Sequence, residues 1–226
     1  MQPQGVIGRA YQLPSAFCES MAPPEFREFL RAQDIDAAPR LNEAIDAYLR
    51  EAAGSDVFVL GVGAFKARTS GLMSYIAACL QEACRAVATR HDLDFQTHFD
   101  KYVNALADLD YCGDITYRVF KRRLVDGRTV ADFVTQAQVL ECLRTKQLPA
   151  LFRGFLARIW CHVRSIPPDV LHAASQRRDR VVMIVASGKE KAEAVHALCS
   201  SGYGNVLVID DELAQEILRL HKSTAH

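Results

Sequence analysis

The stretch RVVMIVASGKEKAEAVHALCSSGYGNVLVIDD, Arg180 to Asp211, decides the fold. Arg180 to Ala186 is an apolar run of strand length without polar alternation, which suits a strand buried on both faces of a parallel sheet. Ser187-Gly188 turns the chain. From Lys189 to Ser200 the apolar residues Ala192, Val195, Leu198 and Cys199 recur at helical spacing, which predicts an amphipathic helix. Gly202 and Gly204 bracket a tight connection, and Asn205 to Ile209 reads as a second buried strand. Asp210-Asp211 then caps a final helix through Leu220, with acids where the helix dipole favours them. The unit is β-α-β-α, which calls for parallel strands and right-handed crossovers.

Upstream, Asp56 to Gly63 (DVFVLGVG) is another continuous apolar run, closed by glycines. It follows a helical stretch, Ala38 to Ala53, in which Leu41, Ile45, Tyr48 and Leu49 form one stripe. Gly5 to Gln12 leans toward a strand, and Phe26, Phe29 and Leu30 suggest a short helix over Glu25–Ala32. Gly71 to Thr89 is predicted helical, as is a segment near Phe99 to Leu109. Ile115 to Val125 reads as one strand, followed by the Asp126-Gly127 turn signal. Thr129 to Val163 reads as helix in pieces, and Pro167-Pro168 marks a boundary before a short helix over Asp169–Ala174. No internal repeat or low-complexity segment occurs.

The composition bounds the function. The chain has 226 residues, 27 basic and 27 acidic, and half of them are hydrophobic. That profile is ordinary for a globular protein, excludes a disordered one, and fits a single domain over 1–226. The zero charge balance lacks the basic excess by which nucleic-acid binders neutralise phosphates. Seven cysteines without a Cys-x-x-Cys pair predict reduced thiols rather than a zinc site or a disulfide framework. The seven histidines show no metal-ligand spacing. No signal peptide and no apolar run of about 20 residues occurs, which predicts a cytoplasmic chain without a membrane span.

Few constellations carry chemistry. Gly61-Val62-Gly63 is half of a dinucleotide fingerprint, but Lys66 stands where its third glycine belongs. What remains is a plain tight turn or a glycine-lined strand end open to an anion. Ser187-Gly188-Lys189-Glu190-Lys191 enters a helix, where free N–H groups and the dipole favour an anion. Two lysines there oppose the dipole, which an anion would explain; a solvated face would show the same residues. Asp114, after Gly113, suits a sugar hydroxyl or general-base work, or simply a turn. Trp160-Cys161-His162 invites a thiol nucleophile, but sequence neighbours point apart, so packing is the plainer reading.

Several of these residues together form a recognisable pattern. Ser187-Gly188-x-x-Lys191-Ala192-Glu193-Ala194-Val195, followed by Asn205-Val206-Leu207-Val208-x-Asp210-Asp211-Glu212, resembles the C-terminal signature of SorC-type transcriptional regulators. Tyr11 to Pro14, Asp56 to Gly63, and Gly113-Asp114-Ile115 with Phe120 and Asp126-Gly127 resemble further family segments in the same order. The resemblance implies an α/β fold, a Rossmann-like and mostly parallel sheet flanked by helices, related to ribose-5-phosphate isomerase and glucosamine-6-phosphate deaminase. It implies a non-enzymatic effector domain with no cofactor, metal or catalytic residue. The ligand would be a phosphorylated sugar, whose binding alters oligomeric state or the grip on DNA. Lys191 would lie at the phosphate or sugar, with Gly61, Gly63, Gly113, Asp114, Ser187 and Gly188 lining the same cleft.

The family's helix-turn-helix and first βαβ unit are missing from this sequence. The resemblance implies a homo-oligomer, and without those units it implies no DNA contact by this chain alone. An isomerase or deaminase using Asp114, or an interaction module without a ligand, are the alternative readings.

Overall fold

The computed structural model describes residues 46–47, 49–65, 69–87, 95–107, 109–135, 137–139, 141, 150, 153–154, 156 and 165–224. The expectations for 5–12, 25–32 and most of 38–53 lie outside these residues, as do Tyr11 to Pro14, Lys66 and the Trp160-Cys161-His162 triplet.

The elements run β1 (Val57–Ala64), α1 (Gly71–Val87), α2 (Phe95–Ala107), β2 (Tyr111–Ile115), β3 (Arg118–Val125), β4 (Arg128–Phe133), α3 (Pro168–Ser175), β5 (Val181–Ala186), a 3₁₀ turn (Lys189–Lys191), α4 (Ala192–Ser200), β6 (Val206–Ile209) and α5 (Asp211–Thr224). The strands form one sheet in the order β4-β3-β2-β1-β5-β6. β1, β5 and β6 pair in parallel, with Gly61 opposite Val185 and Val185 opposite Val208. β2, β3 and β4 extend the sheet as an antiparallel meander from the other edge of β1. The predicted α/β sheet is therefore present, with β1, β3, β5 and β6 running one way and β2 and β4 the other.

The β5-α4-β6-α5 unit forms as its hydrophobic pattern dictates. Phe58, Leu60 and Val62 of β1, and Val182, Ile184 and Ala186 of β5, pack against Ala194, Val195 and Leu198 of α4, Leu213 of α5 and Leu171 of α3. Asn205 fixes the entry to β6: its side chain accepts from the Val182 N–H at 2.8 Å and donates to the Arg180 carbonyl at 2.9 Å. A second core lies around Tyr111 and Val119, where Leu72, Ile76 and Leu80 of α1 meet Tyr102, Val103 and Leu106 of α2.

Three expectations change. The single strand over Ile115–Val125 is two strands joined at Thr116-Tyr117, both in the left-handed region with φ of 49° and 61°. Neither residue type favours that region, so no turn signal is written there; tertiary contacts at Asp114 impose it. Residues 128–133 form a strand rather than helix, because Asp126-Gly127, at φ 49° and 74°, makes a two-residue hairpin that returns the chain along β3. β4 is anchored from outside the sheet: the Ala131 N–H donates to Ser201 Oγ at 2.7 Å, and that hydroxyl donates to the Ala197 carbonyl at 2.7 Å. The third change concerns burial on both faces of the parallel strands. Val57, Val59, Val185 and Val208 remain exposed, because α3, α4 and α5 all lie on the opposite face.

β1 and β2 approach closely where Gly63 pairs with Asp114 and Ala64 with Gly113. A Cβ on Gly63 would collide with the Asp114 carboxylate and stand 2.8 Å from Ser70 Cα, whereas one on Gly61 would meet nothing within 4 Å. Gly63→Ala is therefore expected to cost about 1–3 kcal/mol in urea unfolding, and Gly61→Ala to leave stability within about 0.5 kcal/mol. Equal effects of the two substitutions would contradict this account of the β1–β2 contact.

Candidate functional site

The sequence-predicted residues gather at the carboxyl ends of β1 and β5, where open parallel sheets place ligands. Asp114 sits at the centre, on β2, and is only 5% exposed. Its carboxylate accepts hydrogen bonds from the Ser70 hydroxyl and the Tyr117 N–H. Ser70 is itself fully buried and caps α1, its hydroxyl accepting from the Met73 N–H at 3.0 Å. Gly113 admits β1 from the side: a Cβ there would strike the Gly63 carbonyl and stand 3.2 Å from Ala194 Cβ of α4.

The electrostatics follow from this enclosure. Burial pushes the Asp114 carboxyl up to about 6, against the downward pull of the Ser70 hydrogen bond, the Tyr117 N–H and the positive charge of Lys191. Lys191 ends the 3₁₀ turn that leads into α4, and its charge favours the ionised form of Asp114. This is the only cation among the contributions that hold Asp114 down.

Ser187 and Gly188 are placed differently from a simple anion cradle. Gly188 takes φ 94°, a conformation in which a side chain would be strained. Its N–H donates to Asp210 Oδ2 at 2.7 Å, and the Ser187 hydroxyl donates to the same oxygen at 2.5 Å. Asp210 Oδ1 accepts the Leu213 N–H at 2.8 Å, so Asp210 caps α5 as its sequence position predicts. These donors, with the Ser187 hydroxyl foremost, hold its carboxyl below the usual range. A ligand at Ser187-Gly188 therefore meets donors already engaged by a carboxylate. Gly61 lies on the exposed face of β1, two residues before the close contact with Asp114.

The structure thus brings together Gly63, Gly113, Asp114 and Lys191, and gives Ser187 and Gly188 to Asp210. Ser70 was not anticipated. The only local signal for it is a serine placed just before a helical run, an N-cap pattern that says nothing of a partner 44 residues away. Among the described residues no group of three or more His, Cys, Asp or Glu side chains could hold a metal ion. No helix among them is long and apolar enough to cross a membrane.

Comparison with known proteins adds a family match. Residues 168–219 match the family described as "Putative sugar-binding domain". Similar solved structures include a domain of the same description in a transcriptional repressor from Vibrio fischeri (20% identity, TM-score 0.43, covering 81% of this chain and 55% of that one). They also include a DeoR family transcriptional regulator from Listeria monocytogenes (20%, 0.40, 89% and 55%) and the full-length sorbitol operon regulator SorC from Klebsiella pneumoniae (17%, 0.42, 91% and 44%). The chain spans about half the length of these structures. No curated protein matches it.

The raised Asp114 carboxyl has a consequence for stability. In the unfolded chain it titrates near 3.8 and in the folded chain near 6, so folding favours its protonated form. That contribution is complete below about pH 3.8 and is lost as the pH rises through about 6, on the order of 3 kcal/mol in all. Going from about pH 4 to about pH 7, the parent should lose roughly 2 kcal/mol of unfolding free energy relative to Asp114→Asn. Urea titrations at the two pH values test this; a pH-independent difference would show that Asp114 does not titrate with folding.

Proposed function

We propose that this chain is the effector-binding part of a sugar-responsive transcriptional regulator, and that it binds a phosphorylated sugar between Asp114 and Lys191. The observation that carries the reading is the match of residues 168–219, which contain Lys191, to a family of sugar-binding domains. The geometry supports it. A buried carboxylate accepts sugar hydroxyls strongly, because little water competes. The Lys191 ammonium supplies a charge-assisted contact to a phosphate. Gly63 and Gly113 remove the side chains that would otherwise fill the space around Asp114. Ser187 and Gly188 are held by Asp210, and a bound phosphate would exchange that carboxylate for its own oxygens.

In this reading the domain acts in the cytoplasm, in a homo-oligomer, and the ligand shifts oligomeric state or DNA affinity through regions beyond the described residues. It performs no chemistry on the sugar. The interaction-module alternative is separated from it by whether any sugar phosphate binds at all.

One observation favours a second reading. A carboxyl at about 6 is well placed for general acid–base work near neutral pH, as an aldose–ketose isomerase or a sugar-phosphate deaminase requires. The two readings differ in turnover: an enzyme converts its sugar phosphate and loses that activity in Asp114→Asn, whereas an effector domain returns the ligand unchanged.

Thermal denaturation in the presence of a panel of sugar phosphates, with the free sugars beside them, is the direct test. A ligand at 100 times its Kd adds about 2.7 kcal/mol of stability, and the shift should vanish when the phosphate is absent. Lys191→Met should weaken binding by roughly tenfold or more. Full affinity in that variant would remove Lys191 from the site, and no shift with any sugar phosphate would refute the effector reading.

A further inference from the structure

The Ser187-Gly188 turn and the start of α5 share one carboxylate. Asp210 Oδ2 accepts from the Ser187 hydroxyl at 2.5 Å and from the Gly188 N–H at 2.7 Å, while its Oδ1 accepts from the Leu213 N–H at 2.8 Å. Each oxygen of that side chain is therefore engaged, one by the turn and one by the helix. A second tie is electrostatic. The Glu216 carboxyl of α5 is held below its usual range chiefly by the bond from Arg219, and the Lys189 ammonium of the 3₁₀ turn adds to that effect.

α5 leans on that cap. Of its described side chains only Leu213 is fully buried, and Leu213 lies in the turn that Asp210 caps. Ile217 and Leu220 are partly buried against the core, and Leu218 is exposed. A helix with one buried anchor belongs to the end of the stability range where local opening takes least free energy. Without the cap, a first-turn N–H loses its partner, which weakens the helix at its anchor.

The shared carboxylate lies at the surface, since Ser187 is exposed and Gly188 and Asp210 are half-buried. Glu190, also exposed, folds its carboxylate over Gly188, where an added Cβ would strike it. An anion arriving at the turn must therefore displace Asp210 and turn Glu190 aside. We propose that Asp210 is a latch between the site and α5: a phosphate takes the Ser187 and Gly188 donors, Asp210 withdraws, and the first turn of α5 loses its cap. This inference rests on the reading of Ser187-Gly188 as the phosphate end of the sugar site. A phosphate competes well for the two donors, because it brings more charge and more acceptor oxygens than a carboxylate. The coupling is reciprocal. Whatever affinity phosphate loses in displacing Asp210, a chain with an uncharged residue there regains. Opening the first turn of α5 would bare Leu213, an apolar side chain that the free chain hides.

The test records amide NMR spectra and amide hydrogen exchange of the full chain during titration with inorganic phosphate. In the parent, phosphate should shift the Gly188 amide and speed exchange of the Leu213 amide roughly fivefold. Asp210→Asn and Asp210→Ser both keep a residue type that caps helices while removing the charge. Each should bind phosphate more tightly by roughly the same factor, with Leu213 exchange no longer responding to it. Glu190→Gln removes a charge beside the turn without touching the cap, so it should bind phosphate more tightly and keep the Leu213 response. The proposal is overturned if phosphate leaves the Gly188 amide in place, if bound phosphate leaves Leu213 exchange in the parent unchanged, or if neither Asp210 variant gains affinity. Sugar phosphates separate the latch from the reading it rests on. One that stabilises the chain without moving the Gly188 and Leu213 amides overturns the latch alone. Failure of the effector reading shows instead as no stabilisation by any sugar phosphate while inorganic phosphate still moves both amides.

Discussion

The structure depends on the approach of two backbones at Gly63 and Gly113. A parallel three-stranded unit and an antiparallel meander become one sheet only because β1 and β2 meet there, with Asp114 opposite Gly63. Any Cβ at either glycine would occupy space held by the Asp114 carboxylate or by the Gly63 carbonyl. Glycine weakens a strand in general; here its absence of a side chain makes room for a buried acid at the seam between the two halves. The same contact serves stability and chemistry: it encloses Asp114 tightly enough to raise its carboxyl to about 6, while Ser70, Tyr117 and Lys191 keep the ionised form accessible.

Asp114 also explains the least expected piece of backbone. Thr116 and Tyr117 both occupy the left-handed region, which costs such residues energy. The turn brings the Tyr117 N–H onto the Asp114 carboxylate, so a strained local conformation is held by a hydrogen bond made to the site. The carboxylates of the region thus divide their work. Asp114 is buried and organises the β1–β2 seam. Asp210 is half-buried at the end of β6, caps α5, and ties the Ser187-Gly188 turn to that helix. Were a phosphate to enter at Gly188, Asp210 would be the group it displaces, which couples that turn to the start of α5.

The sequence was most legible where structure is local. The β5-α4-β6-α5 unit follows from apolar runs and helical stripes, because each of its strands and helices buries a face written into consecutive residues. The Asp126-Gly127 turn is equally plain, since both residue types tolerate positive φ. β2 and β3 were read as one strand because Thr116-Tyr117 carries no such mark. β4 was missed because its pairing with β3 and the Ser201 bond that secures it come from elsewhere in the chain. The residues proposed for the site on the two glycine-closed strand ends carry motifs of their own, whereas Ser70 does not, since a serine before a helix looks the same whether or not it faces an acid.

By itself, then, the sequence determined the α/β class, the parallel β5-α4-β6 unit, the hairpin at Asp126-Gly127, the cap at Asp210 and the identity of Gly63, Gly113, Asp114 and Lys191 as residues worth joining. These rest on periodicity, capping and glycine chemistry, all of which act within about a dozen residues. The tertiary structure decided that β2, β3 and β4 continue the sheet as a meander. It also decided that Ser70 caps α1 while binding Asp114, and that Ser187 and Gly188 are claimed by Asp210. Each of those facts is a pairing between distant segments. Such pairings are set by which surfaces fit together once the chain has folded, and no local run of residues records them.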